Sequence, residues 1–434
     1  MALAADQHTI ATPAVSGRYR WVICGLLFTA MIFNYVDRQM IGLLKPTLQK
    51  EFGWNESTYA QLIFSFQLAY AASYIIFGRI VDWVGTKLGY TIAFLIWTIG
   101  HMGHAAAFSA GQFMLARMTL GVGEAGSFPA GVKALAEWFP KRERAFAAGL
   151  FNAGTNIGAI VTPIIVPLIT IDLALGWRAT FLITGLFSFL WLGAWLLIYR
   201  TPERHPRVSA SELAHINSDT EEDPRKIPWL RLLRTRETWA YASGKFLIDP
   251  IWSMFLFWLP DFFAKTRHLD LKSFGPPLVA IYLLSDIGSV AGGWLSGALL
   301  RRGLNLNLAR KVTMGVCALL VLPILAANFV SNLWVVVGIV GLATAAHQGF
   351  SANLYTLPSD VFPKSAVGAV IGIGGTAGAV GGMLMTLFVG WVLDRFHTYV
   401  PIFIVAAVAY SLALLAIHLF SPRYAAARVG DPKA

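Results

Sequence analysis

Asn34-Tyr35-Val36-Asp37-Arg38 lies inside an apolar run that begins at Trp21 and ends at Lys45. A bilayer span takes about 20 residues at a rise of about 1.5 Å each, so the run is long enough to cross. Asp37 and Arg38 fall past its middle. A charge at that depth costs roughly 2.5–3.5 kcal/mol on insertion scales. The pair is therefore expected to face a protein interior or a water-filled cavity and to mark an ion or substrate path. The plainer alternative is that the two charges only neutralise others for structural reasons.

Composition agrees with a membrane chain. Of 434 residues, 56% are hydrophobic and 13% charged, with a mean hydropathy of +0.60. Soluble domains carry about 25% charged residues. The net charge of +11 does not suggest nucleic acid, because the bases form no stripe with interleaved aromatics. They cluster in short loops between apolar segments, the positive-inside pattern. Cys24 and Cys317 each sit in an apolar segment, where buried small hydrophobes are expected and a disulfide framework is not. The first residues lack the order of a cleaved signal peptide.

Twelve apolar spans are read: 19–43, 57–82, 88–108, 112–138, 143–170, 177–199, 238–264, 275–300, 311–329, 331–357, 365–391 and 397–420. Arg18, Arg20, Arg79, Lys87, Lys141, Arg142, Arg144, Arg301, Arg302, Arg310, Lys311, Lys364 and Arg423 fall at the start and then after every second span, so both termini are expected in the cytoplasm. Lys265, Arg267 and Lys272 are exceptions in the outer loops. The fold class is an all-α membrane protein with twelve transmembrane helices in two pseudo-symmetric six-helix bundles. The expected division is a tail over 1–18, a first bundle over 19–199, a linker over 200–237, a second bundle over 238–420 and a tail over 421–434. The linker is charged (Arg204, Arg207, Glu212, Asp219, Glu221, Glu222, Asp223, Arg225, Lys226), with a short surface helix expected from Ser209 to Asn217.

The halves echo each other. Glu137-Trp138-Phe139-Pro140-Lys141 precedes span five and Asp360-Val361-Phe362-Pro363-Lys364 precedes span eleven. Gly149 and Gly372 keep the same spacing, and Ala153-Gly154 matches Ala377-Gly378 with a shift of one. Duplicated halves that place a site at the midplane between them are a transporter design. The glycines of these spans also suit close helix packing, which is the simpler reading of any one of them.

Span four holds Arg117 and Glu124, two turns apart on one face, with Gly121 and Gly123 between them. They are expected either to pair statically or to exchange partners. Asp37 and Glu124 are the deep carboxylates of the first half. Burial disfavours their charge and a nearby arginine favours it, so a balanced group can bind and release a proton. Permanent ion pairs are the alternative. Arg38 and Arg117 are candidates to hold an anionic substrate through paired guanidinium hydrogen bonds. Tyr35 lies close to Arg38, and Gln67, Tyr70 and Tyr74 form a stripe on span two. Asn152, Thr155 and Asn156 do so on span five, and span ten carries His347, Gln348, Ser351 and Tyr355, with Asn353 off that stripe. Such groups suit a polyhydroxylated ligand, or else interhelical hydrogen bonds worth about 0.6 kcal/mol each. Lys245 is a further buried cation, close enough to its helix start to snorkel.

Gly78-Arg79-Ile80-Val81-Asp82-Trp83-Val84-Gly85-Thr86-Lys87 joins spans two and three. Gly78, Asp82, Gly85 and Lys87 are expected to form a charged latch that holds one conformation.

The sequence resembles the major facilitator superfamily. Gly78 to Lys87 is similar to its loop motif, with Trp83 where a base is usual, and Arg117-Met118-Thr119-Leu120-Gly121-Val122-Gly123-Glu124 resembles its helix-four motif. Asn34 to Arg38 and Gly123-Glu124-Ala125 resemble the anion:cation symporter group. Lys245 to Trp252 and Ala346 to Leu354 are similar to hexuronate transporters. The resemblance implies proton-coupled uptake of a sugar acid by alternating access. Asp37 and Glu124 would carry protons, and Tyr35, Arg38, Tyr70 and Arg117 would serve the anion or its coupling. Thr155 stands where related symporters carry a glutamine, a role Asn156 would take over.

The expected function is proton-coupled uptake of galacturonate or glucuronate by a multi-pass inner-membrane protein acting as a monomer. Its partners are the sugar acid, protons and the lipid bilayer, with no cofactor beyond the coupling proton. Another sugar acid such as an aldonate, a small dicarboxylate, or a transporter-like sensor are alternatives. An integral membrane enzyme is disfavoured, because no nucleophile elbow, zinc pattern or phosphate loop is present.

Overall fold

The structure is a computed structural model that describes residues 17–218, 228–425 and 427. The expected tail residues 1–16 and the linker charges Asp219, Glu221, Glu222, Asp223, Arg225 and Lys226 lie outside the described residues, as does most of the expected tail over 421–434.

The first seven helices are α1 (Tyr19–Phe52), α2 (Glu56–Val84), α3 (Thr86–Gly103), α4 (Ala110–Glu124), α5 (Ser127–Trp138), α6 (Lys141–Pro167) and α7 (Gly176–Ile198). Two short helices, α8 (Ala210–Ile216) and α9 (Trp229–Leu233), follow. The rest are α10 (Arg236–Arg267), α11 (Gly275–Arg301), α12 (Leu306–Val321), α13 (Leu333–Val361), α14 (Lys364–Phe396) and α15 (Val400–Phe420). The twelve expected spans correspond to α1, α2, α3, α4 with α5, α6, α7 and α10 to α15.

Among the described residues, nine helices are long and apolar enough to cross a membrane, and α2 makes a tenth once its 45° bend is crossed. The two remaining spans have physical reasons for falling short. α3 spans 18 residues with Lys87 and His101 inside it, so it has no apolar stretch of full length free of them. The expected span 112–138 is interrupted at Ala125-Gly126 into α4 and α5, and α4 carries Arg117 and Glu124. A Cβ on Gly126 would sit 2.5 Å from that of Ala93, so α3 crosses the break in close contact.

α1 runs well past its expected end at 43. Lys45 and Pro46 lie inside it, and it stops at Gly53, whose left-handed φ of 67° lets its N–H reach the Gln49 carbonyl. Asn55 then caps α2, accepting from the Thr58 N–H at 2.8 Å.

The helices pack in two sets. In the first, α1 lies on α6, and α4 on α2 and α3; in the second, α10 lies on α14 and α15, and α13 on α11 and α12. The sets meet along α1–α10, α2–α14 and α6–α11. The repeat seen in sequence has a local counterpart. Pro140 caps α6 at φ −63°, ψ 152° and Pro363 caps α14 at φ −63°, ψ 151°. The acid before each proline ties its helix to a neighbour: Glu137 accepts from Thr86 and Tyr199 at 2.5 Å each, and Asp360 from Arg310 at 3.1 Å.

The expected linker helix is present as α8, capped by Ser209, but it is docked rather than free. Glu212 is buried and accepts from the Arg20 backbone and side chain, both at 3.1 Å. Arg20 also meets Glu143 at 2.8 Å. Cys24 and Cys317 are both buried free thiols.

Candidate functional site

α1 presents Asp37 and Arg38 in different directions, as successive helical residues must. Asp37 points into the first set of helices and is fully buried. Trp97 Nε1 on α3 donates to its Oδ2 at 2.6 Å, and His101 Nε2 lies 3.2 Å from Oδ1. The same imidazole nitrogen is 2.7 Å from Thr184 Oγ1 on α7.

Arg38 turns to α4. Its Nε and Nη2 both donate to Glu124 Oε2, at 2.8 and 2.6 Å. Glu124 is fully buried, and its Oε1 has no hydrogen-bond partner among the described residues. The guanidinium sits between the rings of Tyr35, Phe66 and Tyr70, with centroids 5.2, 5.3 and 5.0 Å away. It retains 15% exposure, whereas Glu124 retains none.

Arg117 does not pair with Glu124, although both stand on one face. Glu124 Oε2 is taken by Arg38. Arg117 is instead buried behind the Arg38–Glu124 pair, with Nη1 3.4 Å from the Arg38 carbonyl. Its Nε and Nη2 have no partner among the described residues. Of the two arginines, Arg38 keeps some exposure and Arg117 has none.

The second set of helices contributes Lys245 of α10. Its ammonium is 2.7 Å from Asp249 Oδ2 and 2.7 Å from the Tyr355 hydroxyl. It is anchored, so it does not snorkel. His347 Nδ1 is 2.7 Å from the Tyr410 hydroxyl, and its ring stacks on Trp252 at 5.2 Å. Tyr35 lies within electrostatic reach of Tyr355 and beside Trp252, and Tyr74 within reach of Tyr355. These aromatic groups therefore line the space between the two sets. Gln39 meets Tyr282 at 2.5 Å and Gln67 meets Thr386 at 3.2 Å across it.

Other expected residues lie apart. Asn353 Nδ2 donates to the Gly292 and Gly349 carbonyls at 3.1 and 2.9 Å, and its Oδ1 accepts from Arg310 at 3.4 Å, which joins α13 to α11 and α12. Thr155 donates to the Asn152 carbonyl at 2.7 Å, with Asn156 Oδ1 at 3.4 Å. Ser351 is buried and Gln348 half-buried on α13.

The expected latch takes a different form. Asp82 pairs with Lys133 of α5 at 3.0 Å, while Lys87 donates to the Leu196 carbonyl of α7 at 2.6 Å. Gly85, at φ 85°, starts α3 in a new direction and sends Lys87 away from Asp82.

A second charge cluster went unread in the sequence. At the end of the bundle opposite the termini, fully buried Lys45 pairs with Glu56 at 2.5 Å and with Asp261 at 2.8 Å. Lys265 meets the same two acids at 2.5 and 3.1 Å. Tyr399 donates to Asp261. Asp394 of α14 caps the start of α2, accepting from the Glu56 and Ser57 N–H groups at 2.9 and 2.8 Å. Lys272 lies 3.5 Å from Asp172, and Arg267 holds the Ala327 carbonyl at 2.8 Å. The exceptional charges Lys265, Arg267 and Lys272 thus join helices. Lone acids and bases at helix ends carry no sequence signal for such partners.

Two apolar recesses, about 470 and 560 Å³, lie elsewhere, between α10, α14 and α15 and between α11, α12 and α13. Neither offers a charged side chain.

Comparison with known proteins then fixes the family. The sequence model of the Major Facilitator Superfamily matches residues 27–386. The chain belongs to the major facilitator superfamily. Within this superfamily of membrane transporters it is 31% identical to the hexuronate transporter of Escherichia coli (strain K12), over 92% of this chain and 93% of that one. It is 32% identical to a galacturonate transporter of Dickeya chrysanthemi, over 70% of this chain and 89% of that protein. Among solved structures, a bacterial homolog of the human lysosomal transporter Spinster, inward-facing and occupied, superposes with a TM-score of 0.76. It covers 94% of this chain and 98% of that one at 18% identity, a likeness of fold.

Proposed function

We propose that this multi-pass transporter couples proton entry to uptake of a hexuronate, galacturonate or glucuronate. The superfamily and the hexuronate- and galacturonate-transporting relatives support the substrate class. The observation that carries the coupling is the Arg38–Glu124 pair. A partly open guanidinium in an aromatic cage is held by a carboxylate with no exposure and one unbonded oxygen. A proton arriving on Glu124 Oε1 neutralises the carboxylate and releases Arg38. The freed guanidinium takes the sugar carboxylate in two parallel hydrogen bonds, while Tyr35, Tyr70 and His347 meet its hydroxyls. Asp37, held by Trp97 with His101 beside it, is the second proton carrier, and Arg117 supplies the positive field behind both.

The two six-helix halves, 19–199 and 238–420, rock about this site as a monomer in the inner membrane. The termini and the linker 200–237 lie in the cytoplasm. The charge cluster around Lys45 then closes the outer side, and the conformation is taken to be open to the cytoplasm.

Replacing Glu124 with Gln tests the coupling in proteoliposomes. Gradient-driven accumulation of galacturonate should be abolished, while exchange of internal for external galacturonate persists. Undiminished accumulation would reject the proton role of Glu124.

A further inference from the structure

We infer that Asp249 sets the charge selectivity of the site: by neutralising Lys245 it admits a ligand with one carboxylate and rejects one with two. The inference rests on the sugar-acid reading above.

Two cations reach the space between the halves, and each has an acid, but the pairs are built differently. Arg38 and Glu124 belong to separate helices, α1 and α4. Such a pair breaks when a proton arrives or a helix shifts. Lys245 and Asp249 stand one turn apart on α10, with Nζ 2.7 Å from Oδ2. No movement of one half against the other separates them.

The Asp249 carboxylate is also fixed from behind. It is seated against Gly378 of α14, where a Cβ would lie only 2.2 Å from Oδ2. The ammonium is held on its other side by the Tyr355 hydroxyl at 2.7 Å, and its charge lies 4.2 Å from that ring's centroid. Tyr355 is 48% exposed and shares its field with Tyr35 and Tyr74 of the first half, which puts the pair at the wall of the ligand space.

A monocarboxylate sugar therefore meets one cation that can be freed, Arg38. The second carboxylate of a sugar diacid reaches a lysine already neutralised, and is repelled by Asp249, whose side chain is 26% exposed. A like charge in such a place should lower affinity at least about tenfold.

The test is inhibition of labelled galacturonate counterflow in proteoliposomes by unlabelled galacturonate and by unlabelled galactarate, a dianion of the same carbon skeleton. For the wild type, galactarate should require at least about tenfold more than galacturonate for half inhibition. In Asp249→Asn the ratio should fall about tenfold or more, and adding Lys245→Met should restore it. Gly378→Ala, which displaces the carboxylate without removing it, should move the ratio the same way. It serves as the test where Asp249→Asn does not reach the membrane. Equal inhibition of the wild type by both acids, or an unchanged ratio in a transporting Asp249→Asn or Gly378→Ala protein, would overturn the role of Asp249. A wild type inert towards galacturonate would instead overturn the hexuronate reading itself.

Discussion

Arg38 and Glu124 are 86 residues apart in sequence, and their pairing shows what a residue-by-residue reading reaches and where it stops. That both are deep, charged and functional follows from their place in apolar runs. That Glu124 answers to Arg38 rather than to Arg117 follows from how α1 crosses α4, and only the fold supplies that. His101 and Trp97 passed unread for a related reason. An isolated imidazole or indole in an apolar helix says nothing until Asp37 stands beside it. Close contact is also decided at single residues. A Cβ on Gly123 would lie 2.2 Å from the Trp97 backbone nitrogen, whereas nothing lies within 4 Å of one on Gly149. Gly123→Ala should therefore lower stability by about 1–3 kcal/mol, as overpacking does, and Gly149→Ala should leave it nearly unchanged. Thermal unfolding of both variants in detergent checks the contrast. Equal melting temperatures would mean that α3 and α4 have room to part.

At the scale of the elements, each of the twelve expected spans has its helix or broken helix pair, nine or ten of them apolar enough to cross, and their ends were less legible. α1 outruns its apolar stretch because Lys45, which looks like the edge of a span, is neutralised by Glu56 and Asp261 and can stay buried. α4 and α5 read as one span because the break at Ala125-Gly126 carries no proline. The linker helix α8 was legible from its serine cap, but its docking was not, since Arg20 and Glu143 come from other helices. Burial draws the Glu143 carboxyl up, and hydrogen bonds from Arg20 and His215 outweigh it, holding the group below its usual 4.5. A carboxylate lowered in this way adds stability above its unfolded value, and that stability is lost as pH falls through its folded value. Glu143→Gln should thus reduce melting temperature at neutral pH, and the difference from wild type should shrink below about pH 4.5. A difference that stays constant with pH would mean that the contact is not ionic.

For the molecule as a whole, the sequence repeat anticipated two matching sets of helices, and the paired Pro140 and Pro363 caps are its clearest imprint. Which side of the molecule is closed was not legible. It depends on Lys45, Glu56, Asp261, Lys265 and Asp394, drawn from four helices, and no motif joins them. Lys45→Met leaves two acids facing a single remaining lysine. Losing one partner of a buried pair costs roughly 3–5 kcal/mol, a penalty borne here by the closed form. Spin labels on the far ends of α2 and α14 should then show longer distances in Lys45→Met than in wild type. Unchanged distances would mean that apolar packing along α1–α10, and not the charge cluster, keeps that end shut.

In the proposed cycle a proton gradient drives a sugar acid through this site. Its most direct test is uptake of radiolabelled galacturonate into proteoliposomes with and without an inward proton gradient. Accumulation above the external concentration is expected only with the gradient, and it should be lost in Arg38→Lys, which cannot offer the sugar two parallel hydrogen bonds. Uptake that merely equilibrates, whether or not the gradient is present, would contradict it.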